Sequence, residues 1–178
     1  NLITSAAVPE IVTERGGKAV RSRVGHSYIK AEMARTDAVF GGEHSAHYYF
    51  RDFWRADTGM LAAMHVLAAL GGSDVPLSEV TAQYRRYSGS GEINSVVSDP
   101  AAVLDAIRQT YAEAKLDELD GLTVQLSDDS WFNVRISNTE PLLRLNVEAP
   151  EAGRMAKLRD EVLSIIRADQ SGSGNSNP

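Results

Sequence analysis

The apolar rhythm of the chain changes at Ser88-Gly89-Ser90-Gly91, and this break constrains the fold more than any other feature. Before it, helix-like and strand-like segments alternate. Val8, Ile11 and Val12 share one helical face that stops at Gly16-Gly17, with Pro9 tolerable in a first turn. Lys18 to Arg23 reads as a short strand, and Ser27 to Arg35 as a helix carrying Ile29 and Met33. Ala38-Val39-Phe40 reads as a buried strand ending in Gly41-Gly42, and Tyr48-Tyr49-Phe50 as another. From Asp57 to Leu70, the residues Leu61, Met64, Leu67 and Leu70 form one helical stripe. The alternation predicts an α/β layer with crossovers.

Leu77 to Tyr87 predicts a shorter helix, and the Ser-Gly run after it a linker. Beyond it come a strand (Glu92 to Val97), a helix opened by Pro100 and running to Ala114, three strands (Leu122 to Leu126, Trp131 to Ile136, Leu142 to Glu148) and a helix from Ala152 to Ala168. The expected organisation is therefore a mixed α/β domain over residues 1–88 and a small α+β domain over 89–170. Ser171 to Pro178 is too polar to bury apolar area, so a disordered tail or an expression remnant is expected there.

Net charge is −6 with a pI of about 5.2, which opposes nucleic-acid binding, since a phosphate backbone rewards a basic footprint. A single phosphate remains within reach, because a few arginines can hold one whatever the overall charge. No apolar run approaches the ~20 residues that span a bilayer, so no membrane partner is expected. The chain has no cysteine, which removes disulfide and thiolate-metal chemistry and fits a cytoplasmic setting. It opens at Asn1 in mid-pattern without a basic-apolar leader, so truncation is expected.

Two strings carry chemistry. Gly41-Gly42-Glu43-His44-Ser45-Ala46-His47 follows a strand, where open α/β sheets place ligands. Glu43 and Ser45 can hydrogen-bond vicinal sugar hydroxyls, and a histidine can supply charge or a proton. A solvated polar turn explains the same string equally well. A metal reading of Glu43, His44, His47 and His26 lacks a zinc-type spacing, so no metal is assigned. The second string, Arg135-Ile136-Ser137-Asn138-Thr139-Glu140-Pro141, lies between two strands. Backbone N–H groups at such a turn, with the donors of Ser137, Asn138 and Thr139 and the planar fork of Arg135, suit phosphate oxygens. An ordinary Asn/Ser-rich turn is the competing explanation. Arg144 and Glu148 fall on one face of the next strand and are expected to pair. His65 is expected to be packed or partly exposed rather than a ligand, and Arg85-Arg86 to be a solvated helix end.

In their order and separation the two strings resemble the α-D-phosphohexomutase family, to which phosphomannomutases and phosphoglucomutases belong. The family's sugar loop, Gly-Glu-x-Ser-Gly-His, is similar to Gly42 through His47, and its phosphate loop to Arg135 through Pro141. Gly25-His26-Ser27, Tyr48 through Trp54 and Asp57-Thr58-Gly59 resemble the family's connecting segments, so the likeness spans about residues 1–168. It implies the third and fourth domains of such an enzyme, the latter a TATA-binding-protein-like sheet with helices on one face. The reaction implied interconverts hexose 1-phosphate and hexose 6-phosphate through a bisphosphorylated intermediate.

Further implications concern the site. Glu43 and Ser45 would read the sugar, and Arg135, Ser137, Asn138 and Thr139 would hold phosphate. His26 and His47 would serve as proton-transfer or cleft residues. The partners implied are mannose or glucose phosphates and the missing N-terminal domains 1 and 2. The phosphoserine loop and the Asp-x-Asp-x-Asp loop for Mg²⁺ do not occur in this sequence, so the fragment alone is expected to be inactive and to bind no metal. A non-catalytic sugar-phosphate-binding module is the alternative, and a structural protein that lost its ligand is a third. Ala46 stands where the family has Gly, and Ser5-Ala6-Ala7 lacks a basic residue often found there. Ser137-Asn138-Thr139 resembles the mannose/glucose type more than the glucosamine type.

Overall fold

The computed structural model describes residues 1–137, 140 and 142–168. Asn138, Thr139 and Pro141 of the second string, and the whole expected tail, lie outside them. The chain divides into one compact unit, Asn1–Arg86, and a second beginning at Tyr87.

The first unit contains α1 (Ala7–Glu14), α2 (His26–Thr36), β1 (Phe40–Gly42), β2 (Tyr48–Phe50), β3 (Ala56–Asp57), α3 (Gly59–Gly71) and α4 (Leu77–Ala82). Pro9 falls in the first turn of α1, where a missing N–H costs no helical bond. Arg86 anchors that helix: its two Nη atoms fork onto the Glu14 carboxylate at 2.6 and 2.5 Å, and Nη1 also reaches Glu10 at 3.1 Å. It is thus not the purely solvated helix end expected. β1, β2 and β3 form an antiparallel meander with Gly42 opposite Tyr48 and Tyr49 opposite Asp57. The crossovers expected from the alternation are not found among the described residues, because turns too short for a helix connect these strands. Lys18 to Arg23 forms no strand.

Burial in this unit departs from the apolar pattern. Ile29, Met33 and Tyr49 form a small core beneath α2 and β2. Val39 and Phe40, expected inside, are 64% and 50% exposed. The hydroxyl of Thr58 caps α3 by accepting from Leu61 N at 3.3 Å, yet no residue of that helix is buried. Periodicity marks an apolar stripe, but burial needs a facing surface, and three strands of two or three residues supply little.

The second unit contains β4 (Ser88–Val96), α5 (Pro100–Thr110), β5 (Lys115–Asp117), β6 (Leu122–Gln125), β7 (Trp131–Ile136), β8 (Leu142–Ala149) and α6 (Ala152–Ile166). Its antiparallel sheet has the order β4-β8-β7-β6-β5. Alternation points Leu122, Val124, Phe132, Val134, Leu143, Leu145 and Val147 at Val103 and Ile107 of α5 and Leu158, Val162 and Ile166 of α6. The helices therefore cover one face. Asp99 caps α5 by accepting from Ala102 N at 3.0 Å, and Pro100 follows at its start. The Ser-Gly run expected to be a linker opens β4. Small residues suit the bulge between Gly89 and Glu92, and Ser90 Oγ accepts from Val147 N at 3.0 Å.

Candidate functional site

In the first unit, the loop joining β1 to β2 is closed by two backbone bonds, Glu43 N to His47 O (3.0 Å) and Ala46 N to Glu43 O (3.1 Å). Ala46 takes φ +63°, the left-handed conformation that alanine disfavours and glycine accepts. The Glu43 side chain turns inward and is 8% exposed. Its Oε1 accepts from the Tyr49 hydroxyl at 2.6 Å; its Oε2 accepts from Gly25 N at 2.9 Å and Asn1 Nδ2 at 3.2 Å. Burial alone pushes this carboxyl up, but the hydrogen bonds from Tyr49, Gly25 and Asn1 outweigh it, and the group sits below the ordinary glutamate range. Burial, followed by the Glu43 carboxylate, raises the Tyr49 hydroxyl.

Glu43 therefore knits the turn carrying His26 to the loop carrying Ser45 and His47. His26, Ser45 and His47 are exposed. Ser45 Oγ and His47 Nδ1 share a hydrogen bond of 2.9 Å, and His47 Nε2 lies 4.0 Å from Asp57 Oδ2. The other Asp57 oxygen accepts from Tyr48 N at 3.0 Å, which fixes the carboxylate against β2. A hydroxyl, an imidazole and a carboxylate thus stand side by side at the surface, the first two hydrogen-bonded and the last at ion-pair distance. The sequence reading missed Asp57 as a site residue; its pairing opposite Tyr49 in the β2–β3 ladder brings it there. His65 stays on the exposed side of α3 and stacks on Phe50 with ring centroids 5.4 Å apart.

In the second unit, Arg135 lies near the end of β7 and Ser137 just follows the strand, while Arg144 faces Arg135 in register on β8. Arg144 Nη2 reaches Ser137 Oγ at 3.4 Å, so two guanidiniums flank the start of the turn. Their shared carboxylate is Glu92 of β4, at 3.0 Å from Arg135 Nη2 and 2.8 Å from Arg144 Nη1. The expected Arg144–Glu148 pairing gives way to this contact, and Glu148 instead accepts from the Trp131 indole at 2.8 Å. Arg144 and Glu92 had no signal as site residues, since strand order rather than spacing unites them. Among the described residues no group of three or more metal-ligating side chains clusters.

Fold and site together define a mixed α/β protein with Ser45, His47 and Asp57 side by side in one unit and an arginine-flanked turn in the other. The profile of the phosphoglucomutase/phosphomannomutase alpha/beta/alpha domain III matches residues 1–87, and that of the C-terminal domain residues 92–165. The chain belongs to the phosphoglucomutase/phosphomannomutase family. A phosphomannomutase of Methanocaldococcus jannaschii is 40% identical over 93% of this chain and 37% of its own length. One of Salmonella montevideo is 43% identical over 89% and 35%. The chain thus spans about a third of such relatives. A solved phosphoglucomutase/phosphomannomutase family protein from Burkholderia thailandensis superposes with a TM-score of 0.76 at 27% identity, covering 93% of this chain and 36% of that one. A structure from Thermus thermophilus, 18% identical with a TM-score of 0.69 over 94% of this chain and 35% of that one, shares the fold.

Proposed function

We propose that this chain is the substrate-binding C-terminal portion of a cytoplasmic phosphohexomutase that interconverts hexose 1-phosphate and hexose 6-phosphate, mannose or glucose, through a bisphosphorylated intermediate. In this reading residues 1–88 and 89–170 are the family's third and fourth domains. Ser45 reads sugar hydroxyls, with His47 or His26 as the proton-transfer partner. Arg135, Ser137, Asn138 and Thr139 hold a phosphate. Glu43, expected to read sugar hydroxyls beside Ser45, is buried with its oxygens taken by Tyr49, Gly25 and Asn1, so in this reading it contributes chiefly by fixing the loop. A phosphate gripped away from the reacting atom supplies binding energy that orients the reactive end.

The observation that carries this reading is the pair of guanidiniums of Arg135 and Arg144 beside Ser137, since a forked cation pair at a strand turn suits phosphate oxygens. The naming of relatives as phosphomannomutases favours an enzyme parent over a non-catalytic module. In this reading the Mg²⁺ and the phosphoserine belong to the parent's N-terminal domains, no chemical step is assigned to this chain, and the fragment alone is inactive.

Calorimetric titration with glucose 1-phosphate and mannose 1-phosphate, against glucose, tests the reading. Saturable binding that is lost in Arg135→Ala and weakened in Ser45→Ala supports it. Phosphosugar that binds no better than glucose, even when the N-terminal domains are added in trans, overturns it.

A further inference from the structure

Arg135 and Arg144 face each other across β7 and β8, an arrangement that like charges disfavour. Glu92 resolves the conflict from β4, where it pairs in register with Asn146 on the far side of β8 from β7. The Arg135 side chain therefore crosses β8 to meet it. Each oxygen of this one carboxylate takes a different guanidinium. The three side chains are only 11%, 25% and 26% exposed for Arg135, Arg144 and Glu92, so solvent screens them weakly. Glu140 adds a looser contact to Arg144 at 3.7 Å. Arg135 Nε and Arg144 Nε are buried with no hydrogen-bond partner among the described residues. The arginines thus retain donors that Glu92 does not fill, while its single charge offsets about half of their two.

We propose that Glu92 is a resident competitor for the anion held by Arg135 and Arg144, and that it sets the site's preference for phosphate over carboxylate. This rests on the reading of Arg135 as a phosphate contact. A carboxylate ligand offers the same two-oxygen fork as Glu92, with the same single charge. It must also lose translational freedom on binding, a loss the tethered Glu92 does not incur. Such a ligand gains nothing by exchange. A phosphate dianion brings a second charge and a third terminal oxygen, enough to draw the guanidiniums from Glu92 and to use their idle Nε donors. A sugar acid is rejected where a sugar phosphate is accepted, through a repulsive element built into the site.

The test is Glu92→Gln, which keeps the shape and one acceptor oxygen and removes the charge. The parent and variant chains are titrated with inorganic phosphate and with acetate at fixed ionic strength and about pH 8, where phosphate carries close to two charges. In the variant, phosphate affinity is expected to rise roughly three- to tenfold, the worth of one partly screened ion-pair contact. Acetate binding is expected to appear where the parent shows none. Arg144→Gln is expected to shift phosphate affinity the other way. In the parent, phosphate is expected to move the Glu92 side-chain carboxyl carbon signal in an NMR titration. A Glu92→Gln chain that binds phosphate no more tightly than the parent overturns the inference, as does a Glu92 signal that stays fixed while phosphate binds. A parent that binds no phosphate while the variant does also overturns it, since Glu92 would then shut out phosphate as well as carboxylate; failure of both chains to bind phosphate counts against the proposed function.

Discussion

The Tyr49 hydroxyl donates to Glu43 Oε1 at 2.6 Å, with the two side chains 1% and 8% exposed. Removing that donor leaves a buried carboxylate with one oxygen unmatched, at a cost of about 1–3 kcal/mol. Tyr49→Phe is therefore expected to lower the unfolding free energy of the first unit by that amount in urea, with the fold kept. Because hydrogen bonding holds the Glu43 carboxyl down against burial, the same variant is expected to raise its titration toward and beyond the ordinary glutamate range, read by the pH dependence of its carboxyl carbon signal. An unchanged titration would mean that Tyr49 does not hold Glu43.

Ala46 makes a second prediction from the same loop. Its φ of +63° costs an alanine about 1–2 kcal/mol relative to the right-handed region, part of which a glycine's greater freedom in the unfolded chain offsets. Ala46→Gly is expected to stabilise the chain by about 0.5 kcal/mol in denaturant unfolding. A loss of stability would show that the Cβ makes a contact worth more than the strain.

Much of the second unit was legible because its strands alternate cleanly, and β7 spans Trp131–Ile136 as read. What could not be read was pairing. β5 at Lys115–Asp117 is too short to show a period, and Ser88 to Gly91 looks like a linker because Ser and Gly favour loops until a neighbouring strand takes up their backbone groups. The candidate sites divide in the same way. Ser45, His47 and Arg135 stand out by local string, whereas Asp57, Tyr49, Glu92 and Arg144 acquire their roles only through partners distant in sequence or in ladder register. Glu43 illustrates the limit well: the residue type was legible, but not the inward rotamer.

Asp128, in the turn between β6 and β7, accepts from Arg154 Nε near the start of α6 at 2.6 Å. That bond, with further ones from Ser130, lowers its carboxyl from 3.8 to about 2. A depressed folded-state value contributes stability that is present above the unfolded value and is lost as pH falls through the folded one. The pair is substantially exposed, so solvent screening limits its worth to a few tenths of a kcal/mol. Stability of the second unit is expected to decline between about pH 4 and 2, and Asp128→Asn to flatten that part of the profile in acid unfolding followed by circular dichroism. A profile identical to the parent's would remove Asp128 from the account.

Gly121 and Gly91 lie in the same unit and share φ +68°, but their surroundings differ. A Cβ at Gly91 meets nothing within 4 Å, whereas one at Gly121 would fall 2.5 Å from Val134 O and 2.6 Å from Arg135 Cβ. Alanine at either position incurs the left-handed cost of about 1–2 kcal/mol. Only at Gly121 does it add overlap with the β7 backbone, which cannot swing aside as a flexible side chain would, for a further 1–3 kcal/mol or so. Gly91→Ala is thus expected to lower stability modestly and to leave phosphate binding as it was. Gly121→Ala is expected to cost about 2–5 kcal/mol and, by displacing Arg135, to weaken phosphate binding in chains still folded at low temperature. Denaturant unfolding and calorimetry on the two variants separate conformational strain from steric contact. Equal losses in both would mean that β7 yields freely at Arg135 and that Gly121 does not fix the position of that side chain.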